Sequence, residues 1–436
     1  MRIKSSKIVR GRTTSFILLV VLLFAPFLAV IADFPTNASA KDAFIASRTE
    51  ETDLIWFAQI TDLHVGRRAN IENTLPEFLL DLSDFVKPSF VLATGDLVEG
   101  DYTHVEANLT EWVIYDSIIS SVADNLNYDY YDVPGNHDNL DNNNLSLFLQ
   151  YSHIGRNFGT THHSWTIEKG GKAAQFIGIN TADTVNGESI ISYEGRITES
   201  EIAFLKLELE KPADARVVFG HHSPVEVEWG YHISDTPEKE ELLKLLEAPE
   251  VLLYANGHLH KERIVRNRGT LFLTADNWPN FRLFVVDLER KQTSSFEYDA
   301  SPITWPIILP VFPVNQSQMI RSQGMLIEGF PLEILVFSAS VVEEVSVDPG
   351  NGTWIDLTKS GNFLWSLRED EYIELHNETI RIQASDQLGR RREIQMTLET
   401  SEEETSQTKS SALGLFAILA ALVILPSYNL RKKQQR

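Results

Sequence analysis

Between residues 53 and 300, short runs of β-branched and aromatic residues alternate with longer stretches whose apolar positions recur at helical spacing. The runs Leu54–Ile60, Phe90–Thr94, Tyr128–Val133, Ala174–Asn180, Arg216–Gly220 and Val251–Ala255 predict strands. The stretches Ile71–Phe85, Leu109–Ala123, Thr198–Glu210 and Pro237–Leu246 predict helices. This alternation predicts a layered α/β domain. The pattern then changes. Residues 301–330 carry Pro302, Pro306, Pro310 and Pro313, with Pro331 just beyond and no clear period, and read as a linker or a packed crossover. Residues 331–400 read as all-β, with a Pro349-Gly350-Asn351-Gly352 turn between strand-like runs, and predict a small sandwich.

Two further apolar runs lie at the ends. Ser15 to Ala32 follows five basic residues (Arg2, Lys4, Lys7, Arg10, Arg12) and precedes Ala38-Ser39-Ala40, which makes residues 1–40 a secretory signal peptide or an uncleaved N-terminal anchor. Ala412 to Tyr428 carries no charge and predicts a transmembrane helix over 412–428, after a polar stalk at 401–411 and before a basic tail at 429–436. Basic residues beside both runs predict cytoplasmic ends and an exterior middle. Six N-x-Ser/Thr sequons, at Asn37, Asn108, Asn144, Asn315, Asn351 and Asn377, fit that placement.

Charge sharpens the division. The chain of 436 residues has a net charge of -23, but residues 41–410 alone hold 29 bases against 60 acids, a net of −31. Such a surface repels polyanions and disfavours a long nucleic acid as partner. Cysteine is absent, which excludes disulfides, thiol catalysis and zinc-finger sites.

The chemistry-bearing residues fall at the C-terminal ends of the predicted strands, where open α/β sheets place ligands. In order they are Asp62-Leu63-His64, Gly95-Asp96, Gly135-Asn136-His137-Asp138, Gly220-His221-His222 and Gly257-His258-Leu259-His260. Carboxylate oxygens and imidazole nitrogens suit divalent cations. The glycines are expected to give each strand its sharp exit.

This ordered set resembles the calcineurin-like metallophosphoesterases over about 53–300. The resemblance implies a four-layer α/β/β/α sandwich holding two divalent metal ions, of manganese, iron, zinc or magnesium. By position, Asp62, His64 and His260 would hold the first ion, and Asn136, His258 and His221 the second. Asp96 would bridge them. His222 competes with His221 for the ligand role; the family pattern favours His221. His137 would be the general acid, with Asp138 orienting its imidazole. The 331–400 region resembles a sandwich attached to membrane-bound members of the family. The implied reaction is hydrolysis of a small phosphate mono- or diester outside the membrane, by attack of a metal-bridged hydroxide. A binding or adhesion protein that works through its β-sandwich, with an inactive phosphoesterase scaffold, is the alternative.

Outside these motifs, His104, His153, His162, His163, His232 and His376 read as surface or structural residues. His104 and Asn139 could also line the cleft, and Trp278 reads as core.

Overall fold

The computed structural model describes residues 51–398, except 101–104, 141–144, 184–193, 227–230, 321–330, 368–372 and 374–377. The chain divides into Met1–Ala46, which lies outside the described residues, and Ser47–Arg436. Among the described residues no helix is long and apolar enough to cross a membrane. The apolar runs 15–32 and 412–428, and with them the expected signal or anchor, stalk and basic tail, lie outside the described residues.

Two mixed sheets form the α/β part. The first has the order β11-β10-β1-β2-β3, from β1 (Leu54–Ile60), β2 (Phe90–Thr94), β3 (Asp129–Val133), β10 (Asn280–Asp287) and β11 (Gln292–Asp299). Strands β1, β2 and β3 run parallel, and the β10–β11 hairpin joins β1 antiparallel. The second has the order β4-β5-β6-β7-β9-β8, from β4 (His163–Lys169), β5 (Lys172–Gly178), β6 (Ala215–Phe219), β7 (Val251–Asn256), β8 (Arg263–Asn267) and β9 (Thr270–Thr274). Its central strands β5, β6, β7 and β9 are parallel.

Strand period 2 sorts the side chains between layers. Along β1, Ile55 and Phe57 join Phe90, Phe176, Phe219 and Phe284 in a core between the sheets. Phe57 stacks on Phe90 and Phe284 at ring-centroid distances of 4.7 and 4.9 Å. The alternate residues Leu54, Trp56, Ala58 and Ile60 face the other way, into a core shared with α1 (Ile71–Asp81) and α2 (Val105–Val122). Behind the second sheet, Ile177, Val218 and Tyr254 pack with Ile202 and Leu205 of α5 (Glu199–Leu209) and Leu242 of α6 (Pro237–Leu245). The layers therefore run helix, sheet, sheet, helix. Two short helices, α3 (Ser146–Tyr151) and α4 (His153–Phe158), follow β3.

Two four-stranded sheets follow. One pairs β12 (Ile307–Phe312), β13 (Glu333–Phe337), β17 (Leu364–Ser366) and β16 (Thr358–Lys359) in that order; the other runs β15 (Ile355–Asp356), β14 (Val342–Asp348), β18 (Thr379–Asp386) and β19 (Arg391–Thr397). Strand β12 falls inside the proline-rich stretch that reads as linker or crossover. Pro310 is tolerated there because β12 is an edge strand, where a missing N–H need not break a ladder.

This β part shares a core with the α/β part. Ile307, Leu309, Val311, Leu335, Phe337 and Leu364 lie in the same cluster as Trp56 and Phe78. Arg290 reaches across with its Nη1 2.8 Å and its Nη2 3.0 Å from the Glu333 carboxylate. The Glu51 carboxylate accepts the backbone N–H groups of Phe363 and Leu364 at 2.7 and 3.0 Å.

Candidate metal centre

All five motifs meet where the parallel strands of both sheets end. The loop after β1 zips to the loop after β2, since the N–H groups of Asp62, His64 and Val65 donate to the carbonyls of Gly95, Asp96 and Leu97. Several bonds tie the sheets together at the site, among them Gln59 Nε2 to the Asn256 carbonyl at 3.0 Å. The His258 N–H donates to Asp62 Oδ2 at 3.0 Å, and His221 Nδ1 lies 2.7 Å from the Thr94 carbonyl oxygen.

The sharp exits are made by the polar residues themselves as well as by glycine. Asp62, His64, Asp96, His258 and His260 have φ of 54°, 46°, 50°, 74° and 52°. These are half of the ten non-glycine residues with positive φ among the described residues. Each such residue costs about 1–2 kcal/mol against ordinary backbone, so strain is concentrated at the motifs. Glycine is needed instead for close approach. A Cβ on Gly135 would fall 2.2 Å from Asp96 Oδ1.

The side chains converge as overlapping groups whose donor atoms lie within 4.8 Å of one another: Asp62, His64 and His260; Asp62, Asp96 and His221; His221, His222 and His258; and His64, Glu99 and His137. Asp96 is central. Its Oδ2 lies 3.2 Å from His221 Nε2 and 4.0 Å from His64 Nε2, while its Oδ1 accepts the His137 N–H at 2.9 Å. His260 Nε2 is 3.0 Å from Asp62 Oδ1 and 3.3 Å from His64 Nε2, with 41% of its side chain exposed where the cleft opens. Asn136 Oδ1 is buried without a hydrogen-bond partner among the described residues.

Burial alone would neutralise the two aspartates. It is outweighed for Asp62 by the His260 bond and the nearby His221, which hold the carboxyl at about 2. Asp96 is likewise held well below the usual carboxylate range, against burial, by His221 and His137. Burial lowers His221, but Asp96 overrides it and lifts the imidazole to about 9. A buried oxygen–imidazole set with an unpaired amide oxygen fits divalent cations on chemical grounds.

One expected role is corrected. Asp138 does not hold the His137 ring. Its Oδ1 accepts the Leu97 and Val98 N–H groups at 2.9 and 3.1 Å, and its Oδ2 accepts that of Gly135 at 2.8 Å. Three backbone donors on one buried carboxylate fix the loops and leave the ring to another partner. That partner is the Glu99 carbonyl oxygen, which meets His137 Nδ1. The Glu99 carboxylate meanwhile lies 2.8 Å from His64 Nδ1. Glu99 therefore holds the His137 ring through its carbonyl and sets a charge beside His64, and was missed, along with Thr181, whose hydroxyl accepts the backbone N–H groups of His221 and His222. Neither belongs to a motif, and each acts through contacts between separate loops.

Elsewhere the bland expectations match. Asn139 is buried and bonds the Ala182 carbonyl at 2.6 Å, and Trp278 packs against Phe78 in the core. His162 pairs with Glu201 at 2.7 Å. The sequon residue Asn108 is buried and Asn351 is exposed, whereas Asn37, Asn144 and Asn377, like His104 and His376, lie outside the described residues.

Comparison with known proteins agrees with this geometry. Residues 55–262 match the family model described as calcineurin-like phosphoesterase. The chain is 26% identical over 330 residues to an Arabidopsis thaliana protein named as a metallophosphoesterase, covering 69% of this chain and 42% of that one. It is 23% identical over 331 residues to transmembrane protein 62 of Mus musculus, covering 70% and 49%. It is 25% identical over 252 residues to an Arcobacter nitrofigilis protein named as a glycerophosphodiester phosphodiesterase, covering 55% and 83%. The chain thus spans less than half the length of the first two relatives. The likeness to the calcineurin-like phosphoesterases lies over residues 55–262.

Proposed function

We propose that this chain hydrolyses phosphate esters at a centre for two divalent cations, on the exterior side of a membrane. The observation that carries the reading is the convergence of Asp62, His64 and His260 with Asp96 and His221 around shared carboxylates. Asp62, His64 and His260 would hold one cation, and Asn136, His221 and His258 the other, with Asp96 between them. A bridging ligand must be an anionic oxygen donor, a role that Asp96 suits because its Oδ2 lies 3.2 Å from His221 Nε2 and 4.0 Å from His64 Nε2. When bound, such cations acidify water and neutralise charge on phosphoryl oxygens.

The protein's own part is to place a proton. The Glu99 carbonyl can only accept, so His137 Nδ1 carries hydrogen and Nε2 is the position that gains or gives the second proton. Burial lowers the His137 pKa, but Asp96 and the Glu99 carbonyl outweigh it and raise the value above 6.5. The shift is toward the protonated ring, the form that a general acid for a leaving alkoxide uses. The exterior placement rests on the basic flanks of the apolar runs, and a relative named as a transmembrane protein supports membrane association.

Leaving-group dependence tests this reading. The full-length chain loaded with manganese should hydrolyse both a 4-nitrophenyl and an alkyl phosphate ester. His137→Ala should slow the alkyl ester by about a hundredfold and the nitrophenyl ester much less, because nitrophenolate leaves without a proton. No hydrolysis of either ester by the wild type would overturn the proposal.

A further inference from the structure

The apolar layer between the two sheets ends in a polar row beside the cleft. Along β1, Ile55, Phe57 and Gln59 face that layer, and their antiparallel partners on β10 are Val286, Phe284 and Arg282. The buried pair Gln59 and Arg282 closes this ladder at its cleft end. Each side chain crosses to the second sheet. Gln59 Nε2 donates to the Asn256 carbonyl at 3.0 Å, and Arg282 Nη2 meets the Glu262 carboxylate. Asn256 ends β7, and Glu262 follows His260 by two residues. The segment Gly257-His258-Leu259-His260 is therefore held at both ends by residues of the other sheet.

The two ends are not equally secure. The Gly257 and His258 N–H groups are tied at 3.0 Å to the His221 carbonyl and to Asp62 Oδ2, whereas Leu259 is only half-buried and His260 is exposed. Both histidines sit on left-handed backbone, which persists only where the surroundings over-determine it. At the His260 end the Glu262 pair supplies that constraint. Arg282 is set in advance to make it. Residues of β11 hold the guanidinium, Nη1 donating to Ser295 Oγ at 3.1 Å and Nη2 to Glu297 Oε2 at 3.2 Å. The same Glu297 oxygen accepts the Asp276 N–H at 3.1 Å, which fixes the loop after β9 to this point. With Glu297 as partner the buried charge stays paired even without Glu262. The exposed Glu262 carboxylate is then a tie for the ligand segment and not a requirement of the core.

We infer that Arg282 is a positioning residue that acts through Glu262 on the segment carrying His258 and His260, so that affinity for both cations depends on an ion pair outside the ligand set. This rests on the phosphoesterase reading above, which gives each of those histidines to a different cation.

Two readouts test it on the full-length chain. In chelator-treated protein, Glu262→Gln should speed amide hydrogen exchange across 257–262 by roughly ten- to a hundredfold, the effect of losing a bond to a charged group. Exchange in β6 should stay as in the wild type. With manganese, calorimetry should show Glu262→Gln binding about 10–100-fold more weakly, the scale for a residue that orients a ligand. Arg282→Met supplies the sign. Removing a positive charge tightens cation binding if charge alone matters, whereas lost positioning weakens it. Adding Glu262→Gln to Arg282→Met should then weaken binding no further, because both act through one contact. Should Arg282→Met fail to fold, the exchange measurement on Glu262→Gln decides alone. Unchanged exchange across 257–262 in Glu262→Gln, or tighter manganese binding by Arg282→Met, would overturn the inference. A wild-type chain that binds no manganese would overturn the phosphoesterase reading and the cation role with it; the exchange measurement needs no metal and tests the tie itself.

Discussion

The cleft and the junction between the α/β and β parts are both buried, yet they are built in opposite ways. In the cleft, buried side chains are charged or titratable, four of them (Asp62, His64, Asp96 and His258) sit on left-handed backbone, and several polar atoms lack partners among the described residues. At the junction, Trp56, Ile307, Leu309, Leu335 and Phe337 pack in one dry cluster, and Trp56 meets Phe337 and Phe363 at ring-centroid distances of 6.0 and 5.9 Å. Its polar links are fully paired: Arg290 engages both carboxylate oxygens of Glu333, and the Glu51 carboxylate accepts the Phe363 and Leu364 N–H groups. The difference shows where folding free energy is gained and where it is spent. Junction residues should matter for stability and little for chemistry, and cleft residues the reverse.

The largest stability effect belongs to the junction. Phe337→Ala should destabilise the chain by about 3–5 kcal/mol through lost burial and the cavity left behind. Denaturant unfolding should still show one transition for the described parts, because they share a core. Two resolved transitions in the wild type would break the comparison by making the junction a loose contact.

A smaller effect belongs to the support of the cleft. Glu99→Gln removes the charge 2.8 Å from His64 Nδ1. It should weaken manganese affinity by about 10–100-fold, the usual scale for a residue that orients a ligand, with thermal stability nearly unchanged. Titration calorimetry against melting curves separates the two. Unfolding at lower temperature with intact metal affinity would mark Glu99 as structural.

The smallest lies outside both regions. The Glu201 hydrogen bond raises the His162 pKa above 6.5, against the opposing effect of burial. A raised folded-state value means that the pair's stabilisation is complete below the unfolded value and fades as pH rises through the folded one. The melting-temperature difference between wild type and His162→Gln should therefore shrink from pH 6 to pH 9, while turnover is untouched. A difference that grows with pH would reverse the sign of the pairing.

The same contrast explains what could be read from the sequence. Strands such as Leu54–Ile60 and Phe90–Thr94 coincide with prediction because each is buried on both faces and reads as a continuous apolar run. The β8 and β11 strands escaped notice because RIVRN and QTSSFEYD are too polar to stand out. Strand β12 was hidden by Pro310, which signals a break unless the strand is known to lie at an edge. Site residues announced themselves where glycine, acid and histidine cluster at strand ends. What orients them did not. Thr181 is 41 positions from His222, and Glu99 meets His137 38 positions away, so their roles exist only after the loops are folded together. Asp138 misled for the complementary reason: the resemblance implied a bond to the His137 ring, whereas the folded loops offer three backbone N–H groups to its carboxylate.

The central claim is that Asp96 joins two cation sites at the meeting of both sheets. Metal content of the full-length chain after manganese loading and gel filtration tests it directly, with Asp96→Ala beside the wild type. The account predicts two manganese per wild-type chain and fewer than one in the variant, with the variant's unfolding temperature within a few degrees of the wild type. Two manganese retained in Asp96→Ala, or none bound by the wild type, would contradict it.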